Sequence, residues 1–197
     1  MLALALSLTG CTWPGGGFNA QGPEMPRLAQ ALALRPGMVV ADVGAGRGQL
    51  TLALAAAVGP GGRVFSSEID PGRLRALREL AAKAGNVTLV EGKACESGLP
   101  AGCCDAIVLR RVYHHLEGPE KINASLLHAL RPGGVLAVID FPPPFFLPER
   151  SSFGVASQLV VNEVTASGFQ LLRLHTDWPG RGPLGSYGAV FRKPGSS

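Results

Sequence analysis

The stretch Met38-Val39-Val40-Ala41-Asp42-Val43-Gly44-Ala45-Gly46-Arg47-Gly48 decides the fold. Met38–Val43 is a nearly unbroken apolar run, which suits a strand buried on both faces. Three glycines at alternate positions then let the backbone turn tightly and approach a ligand closely. Gly48–Val58, rich in Leu, Ala and Thr, reads as a helix ended by Gly59-Pro60-Gly61-Gly62. Strand, glycine loop and helix in that order open a βαβ unit.

The same alternation continues outward. Upstream, Met25, Leu28, Ala29 and Leu32 fall at helical spacing within Glu24–Leu34, and Pro36-Gly37 stops that helix. Downstream, strands are predicted at Arg63–Ile69, Val87–Glu91, Asp105–Leu109 and Val135–Asp140. Helices are predicted at Gly72–Ala84, Pro119–Leu130 and Val155–Ser167. Two further strands, Phe169–His175 and Ser186–Arg192, lie about ten residues apart with Pro and Gly between them. Helices of ten or more residues between strands mean crossover connections and a parallel sheet. The last two strands suit an antiparallel hairpin at its edge. In an open α/β sheet the ligand lies over the carboxyl ends of the strands, which places the chemistry at the ends of the first, second, fourth and fifth.

The first of those ends carries a charge test. A dinucleotide site wants G-x-G-x-x-G, but the position three past Gly46 is Gln49. Asp42, two residues before the loop, repels a pyrophosphate and attracts a cationic ligand. Both residues disfavour a nicotinamide-dependent oxidoreductase. S-adenosylmethionine carries an ammonium, a sulfonium and no phosphate, and meets both conditions. The second strand ends Ser67-Glu68-Ile69-Asp70. Glu68 lies 24 residues past Gly44, close to the ~20 of a ribose-binding acid, and Ile69 is placed to pack on an adenine face. Asp70-Pro71 reads as the cap and first residue of the next helix.

The fourth strand ends Arg110-Arg111-Val112-Tyr113-His114-His115. Methyl transfer draws much of its catalysis from proximity and orientation, and needs a base only where the nucleophile carries a proton. His114 and His115 are the candidates for that base, with Tyr113 to orient or stack on substrate. The other reading is that one histidine caps the following helix and the other faces solvent. Arg110 and Arg111 point differently if extended geometry persists, so at least one sits near the pocket mouth. Asp140 ends the fifth strand, where it touches substrate or caps a loop. Phe141–Phe146, FPPPFF, forms a substrate wall or covers the core.

Together these residues resemble the class I S-adenosylmethionine-dependent methyltransferases. The resemblance runs from about Leu34 to Phe141 and rests on LRPGMVVADVGAGRG, VFSSEIDP and LHALRPGGVLAVIDF. It is nearest to small bacterial methyltransferases related to the ubiquinone and menaquinone C-methylating enzymes, some of which carry apparent export signals. It implies a Rossmann-like, doubly wound, seven-stranded α/β sheet, mostly parallel with an antiparallel last strand and helices on both faces. It further implies that Asp42, Gly44, Ala45 and Gly46 line the methionine part of the cofactor and that Glu68 holds the ribose. Ile69 and Arg110 are counted with these cofactor residues. After the third strand the family often has Gly-Asp, whose acid contacts the adenine amino group. Here Lys93 follows Gly92 and cannot accept that bond, so a backbone group near Ala94, or Glu96, substitutes. The residue before Val112 is commonly acidic in this subgroup and here is Arg111. The expected activity is methyl transfer to a small-molecule acceptor. The alternative is a protein of the same fold that binds the cofactor or a metabolite without transfer.

Composition agrees with an enzyme domain and excludes other classes. The 197 residues carry a net charge of +4, with 46% hydrophobic and 16% charged residues. The basic residues are scattered, with none of the clustering that nucleic-acid binding needs. The Asn/Asp-Pro-Pro-aromatic motif of nucleic-acid amino-methyltransferases is lacking. Cys11, Cys95, Cys103 and Cys104 form no CxxC pair, so no metal site is expected. Cys103 and Cys104 read as small apolar residues leading into a strand. No apolar run reaches the ~20 residues of a membrane helix.

Residues 1–23 stand apart from a domain spanning 24–197. Met1–Leu8 is a short apolar run, and Leu8-Thr9-Gly10-Cys11 resembles a bacterial lipoprotein cleavage box. The first basic residue is Arg27, so the charged start of a signal peptide is missing. An envelope lipoprotein and a cytoplasmic protein with an N-terminal tail are both consistent with this segment. Thr12–Pro23 reads as a linker.

Overall fold

A computed structural model describes residues 18–180 and 185–195. The proposed cleavage box at Leu8–Cys11 lies outside the described residues. The elements run α1 (Glu24–Ala31), β1 (Val39–Val43), α2 (Gln49–Val58), β2 (Arg63–Glu68), α3 (Pro71–Ala84), β3 (Val87–Glu91), β4 (Cys104–Arg110), α4 (Pro119–Ala129), β5 (Leu130–Asp140), β6 (Arg150–Ser151), β7 (Gly154–Val155), α5 (Ser157–Ala166), β8 (Gln170–His175) and β9 (Tyr187–Arg192). A single 3-10 turn, Tyr113–His115, follows β4.

Seven strands form one sheet in the order β3-β2-β1-β4-β5-β9-β8. The pairings of β1, β2, β3, β4 and β5 are parallel, and β9 runs antiparallel to both β5 and β8. The expected architecture is therefore present, with chain direction reversed at the last strand. The order turns back between β1 and β4, so a crevice opens over the carboxyl ends of those two strands.

Alternation along the strands divides the interior into two cores. Ile107, Leu109, Leu136 and Val138 face one side with Leu126 of α4 and Val160 and Val164 of α5. Ala106, Val108, Ala137 and Ile139 face the other with Leu28, Leu50, Leu54 and Val58 of α1 and α2. A strand buried on both faces has no polar side, which is why its sequence reads as a continuous apolar run.

Three boundaries differ from the sequence reading by more than one residue. Helix α1 ends at Ala31 rather than Leu34, because Ala33 takes a left-handed φ of 49°. Strand β5 begins at Leu130 rather than Val135. Leu130 pairs with Cys104, and Gly133 and Gly134 bond the backbone of Lys193, so the glycine turn becomes a bulge inside the ladder. Helix α5 begins at Ser157 because Val155 pairs with Arg150 in the β6–β7 hairpin. No helix among the described residues is long and apolar enough to cross a membrane.

Candidate active site

The site is built on the loop after β1. Gly44 and Gly46 take left-handed φ values of 74° and 58°, which residues with a Cβ adopt only with strain. Gly44 has a second reason to be glycine: a Cβ there would lie 2.3 Å from Val112 Cγ2. The post-β4 segment is thus seated directly on the glycine loop. The Gly44 and Ala45 amides both donate to the Ser67 carbonyl, at 2.8 and 3.0 Å.

Glu68, 3% exposed, ties the ends of β1 and β2 together. Its Oε2 accepts from the Gly46 amide at 2.8 Å, and its Oε1 accepts from the Ile69 and Asp70 amides at 2.8 and 3.1 Å. The Arg73 guanidinium lies 3.8 Å away. Asp70 caps α3 through the Arg73 amide, with Pro71 at the first helical position, as its sequence predicts. Ile69 stands out from this buried acid at 60% exposure, an apolar shelf whose Cγ2 would lie 3.4 Å from a Cβ on Gly92. Beside it the Lys93 and Glu96 backbones bond each other, which puts exposed Ala94 at the tip of a tight turn.

Asp42 lies beneath the loop rather than open to it. It is 2% exposed, and its carboxylate accepts from Thr51 Oγ1 at 2.7 Å, with Ser66 Oγ 3.0 Å from the same hydroxyl. Burial pushes its pKa up to about 6, against the hydrogen bond from Thr51.

Two sequence-predicted residues are placed differently by the fold. Tyr113 is fully buried, and its hydroxyl accepts from Asn123 Nδ2 at 2.8 Å. The 3-10 turn aims its ring into the core under α4, which excludes the substrate contact expected of it. Arg110 is claimed by Glu24, with Nε and Nη2 each 2.8 Å from a carboxylate oxygen. The Phe18 ring lies over this guanidinium at 5.2 Å, and Trp178 Nε1 donates to Glu24 Oε1 at 3.3 Å. Arg110 therefore fastens α1 across the end of β4. Arg111 takes a left-handed φ of 58° while its amide donates to the Ile139 carbonyl at 2.7 Å.

The histidines separate. His114 is buried, and its Nδ1 lies 2.9 and 3.0 Å from the two oxygens of Asp140, which is fully buried. The amides of His114 and Phe141 also donate to that carboxylate. His115 is exposed, with its ring 3.9 Å from that of His114. Lost hydration along that face, then the neighbouring His114 and Arg73 charges, lower its pKa, with Asp140 opposing them. Neither histidine caps α4, whose cap is Gly118. Within the FPPPFF segment residues 141–144 are half-buried, whereas Phe145 and Phe146 do not cover the core, being 98% and 73% exposed. The Phe141 ring lies 5.0 Å from that of His114. A cleft of about 510 Å³ among Val39, Arg63, Cys103 and Arg131 lies at the opposite, amino edge of the sheet.

Sequence reasoning missed Glu24 and Trp178 as parts of this region. Both are brought to it from opposite ends of the chain, and no local spacing announces the meeting.

Residues 41–138 match the model of a methyltransferase domain. The ubiquinone/menaquinone biosynthesis C-methyltransferase UbiE of Vibrio cholerae is 28% identical over 156 residues, covering 73% of this chain and 60% of that protein. UbiE of Cronobacter sakazakii is 30% identical over 127 residues, covering 63% and 51%. The chain thus spans about three-fifths of the length of the first of these relatives. Among solved structures, a SAM dependent methyltransferase from Aquifex aeolicus superposes with a TM-score of 0.71 at 23% identity, covering 85% of this chain and 88% of that one. A possible exported protein from Bordetella parapertussis gives 0.64 at 25% identity, covering 85% and 65%.

Proposed function

From the membership of this chain in the class I S-adenosylmethionine-dependent methyltransferases, we infer that it transfers a methyl group from S-adenosylmethionine to a small-molecule acceptor. The observation that carries this reading is the unit made by Glu68 and the glycine loop, with Ile69 exposed beside it. The donor set fits the cofactor. Gly44, Ala45 and Gly46 allow close approach of a methionine chain. Glu68 offers carboxylate lone pairs to ribose hydroxyls, and Ile69 with the turn at Ala94 offers an apolar shelf and backbone polar groups to adenine. Bound there, the cofactor supplies an electrophilic methyl group on a sulfonium sulfur.

The chain's own residues contribute position and charge. The Asp42–Thr51 bond holds the floor of the glycine loop, and the Arg110–Glu24 pair holds α1 across its mouth. Similarity to UbiE supports an electron-rich ring carbon as the accepting atom. The Leu8–Cys11 box and the Bordetella parapertussis neighbour support an exported, lipid-anchored form. In that form Cys11→Ser releases the full chain from the membrane fraction of an expressing bacterium.

Titration calorimetry with S-adenosylhomocysteine, followed by transfer from methyl-labelled cofactor to a metabolite library, tests the main reading. Micromolar affinity and a labelled small molecule are expected. Binding without any labelled product would reduce the protein to a cofactor-binding module, and NAD binding in place of S-adenosylhomocysteine would overturn the reading.

A further inference from the structure

A pair of reactive side chains lies at the amino end of β4, at the opposite end of the strand from the glycine loop. Cys103 and Cys104 are adjacent, and their sulfurs lie 2.8 Å apart. Successive side chains of an extended strand point to opposite faces, so neighbouring sulfurs touch only where the chain leaves that geometry. It does so here: β4 begins at Cys104, whose pairing with Leu130 is followed by a register shift before Ala106. Cys104 is fully buried, whereas Cys103 is half-buried and lines the cleft of about 510 Å³ at the amino edge of the sheet. That volume falls within the ~300–1,000 Å³ of small-molecule sites. Among the described residues the cleft lining includes Arg63 and Arg131 and no acid. Arg131 is paired with Asp105, which leaves the exposed Arg63 as the charge in excess.

We propose that Cys103 and Cys104 form a dithiol modification site, oxidised reversibly to a disulfide between the two adjacent residues by an anionic low-molecular-weight disulfide that enters this cleft. The site stands apart from the methyltransferase reading. Cys103 is the attacking sulfur, because it is the one of the pair that reaches the cleft. Burial first, then the hydrogen bond and charge of Cys103, push the Cys104 thiol up, so Cys104 keeps its proton while Cys103 reacts. In the first step the Cys103 thiolate bonds one sulfur of the small disulfide, whose sulfur–sulfur bond breaks and releases a thiolate. Capping Cys103 removes its hydrogen bond and charge from Cys104. In the second step Cys104 loses its proton to the released thiolate and bonds the Cys103 sulfur, and the second small thiolate leaves. Two protein thiols are oxidised and one small disulfide is reduced to two thiols. Neighbouring Cα atoms are about 3.8 Å apart, below the usual ~4.4–6.8 Å of disulfides, so the linkage is strained and returns readily to thiols.

The full chain carrying Cys11→Ser and Cys95→Ser keeps this pair as its only cysteines. It is reduced and then held with excess oxidised glutathione, and followed by intact mass and peptide mapping. The expected product has lost two hydrogens, and its peptide spanning Cys103 and Cys104 no longer takes N-ethylmaleimide. Excess reduced glutathione should restore both thiols. With Cys104→Ser added, the reaction should stop at a glutathione adduct on Cys103. Cys103→Ser should take no adduct under native conditions, and it leaves the buried cysteine in place, so it remains informative if Cys104→Ser does not fold. Arg63→Ala should lower the ratio of the oxidation rate with oxidised glutathione to that with the neutral bis(2-hydroxyethyl) disulfide by about fivefold. A pair that stays open to N-ethylmaleimide, or that holds a glutathione adduct without closing the ring, overturns the proposal. An adduct on Cys104 in Cys103→Ser overturns the order of the steps, and an unchanged ratio in Arg63→Ala overturns the anionic class of the oxidant.

Discussion

Glu68 accepts the Gly46 amide at 2.8 Å, so the acid closing β2 is tied to the loop closing β1. Its other oxygen takes the amides of Ile69 and Asp70. Removing this carboxylate strands buried donors and takes away the ribose acceptor together. Glu68→Ala is expected to cost about 1–3 kcal/mol of stability and to weaken S-adenosylhomocysteine binding roughly tenfold, about 1.4 kcal/mol. Thermal melts and calorimetry separate the two effects. A lowered melting temperature with unchanged affinity would leave Glu68 as a loop latch alone.

Gly44 and Gly46 share a left-handed backbone but not the same neighbours. A Cβ on Gly46 meets nothing within 4 Å, whereas one on Gly44 strikes Val112. Gly46→Ala should therefore cost only the backbone strain of roughly 1–2 kcal/mol. Gly44→Ala should cost clearly more, and Val112→Ala in the same chain should recover the excess. Denaturant melts of the three variants measure this. Equal losses for the two glycines would mean that Val112 shifts freely.

The sheet was legible because each strand carries its period and each connection its glycine. Fully apolar strands, capped helices and the loop after β1 are local signals. Of the candidate site, the local geometry is legible only where one segment supplies it, as in the loop at Gly44–Gly48 and the strand end at Glu68. Tyr113 is not legible as a core residue because a 3-10 turn rotates successive side chains by about a third of a turn each, so Tyr113 packs under α4 while its neighbour His114 turns to Asp140. Arg110 was misplaced because its partner, Glu24, lies 86 residues away. Long-range ion pairs leave no period in a sequence.

Asp42 makes stability depend on pH in an unusual direction for a carboxyl. Burial raises its folded pKa to about 6 from an unfolded value of roughly 3.9. A raised folded pKa stabilises the protonated native state, so this contribution is full below about pH 4 and is lost as pH rises through about 6. The loss is on the order of 3 kcal/mol. Asp42→Asn keeps an oxygen for Thr51 and removes the titration. Relative to this variant, wild type should lose stability between about pH 4 and 6, measured by chemical denaturation across that interval. A constant difference would show that Asp42 is ionised at little cost throughout.

The Arg110–Glu24 pair is about nine-tenths removed from solvent on each side. Breaking one partner leaves an uncompensated buried charge, so Arg110→Leu should cost about 3–5 kcal/mol. Glu24→Leu with Arg110→Leu should recover much of that loss. The double variant then isolates any contact of Arg110 with the cofactor. Unchanged S-adenosylhomocysteine affinity is expected in calorimetry, and a large loss would restore Arg110 to the cofactor site.

Arg111 holds a left-handed φ of 58°, a conformation that costs a residue with a Cβ roughly 1–2 kcal/mol. Burial, and then the neighbouring Arg110 charge, lower the pKa of its guanidinium, against the acids Glu24 and Asp140. The prediction for this position is that the Arg111 charge acts on an anionic or electron-rich acceptor; the competing reading is that it only bonds a helix end or a surface acid. Arg111→Asp should lower kcat/KM for such an acceptor about tenfold or more, ~1.4 kcal/mol, with cofactor affinity unchanged. Arg111→Gly adopts the same backbone without strain and removes the charge without reversing it. It should show a smaller loss of kcat/KM than Arg111→Asp. If both variants turn over the acceptor at the wild-type rate, the charge at this position does not reach substrate.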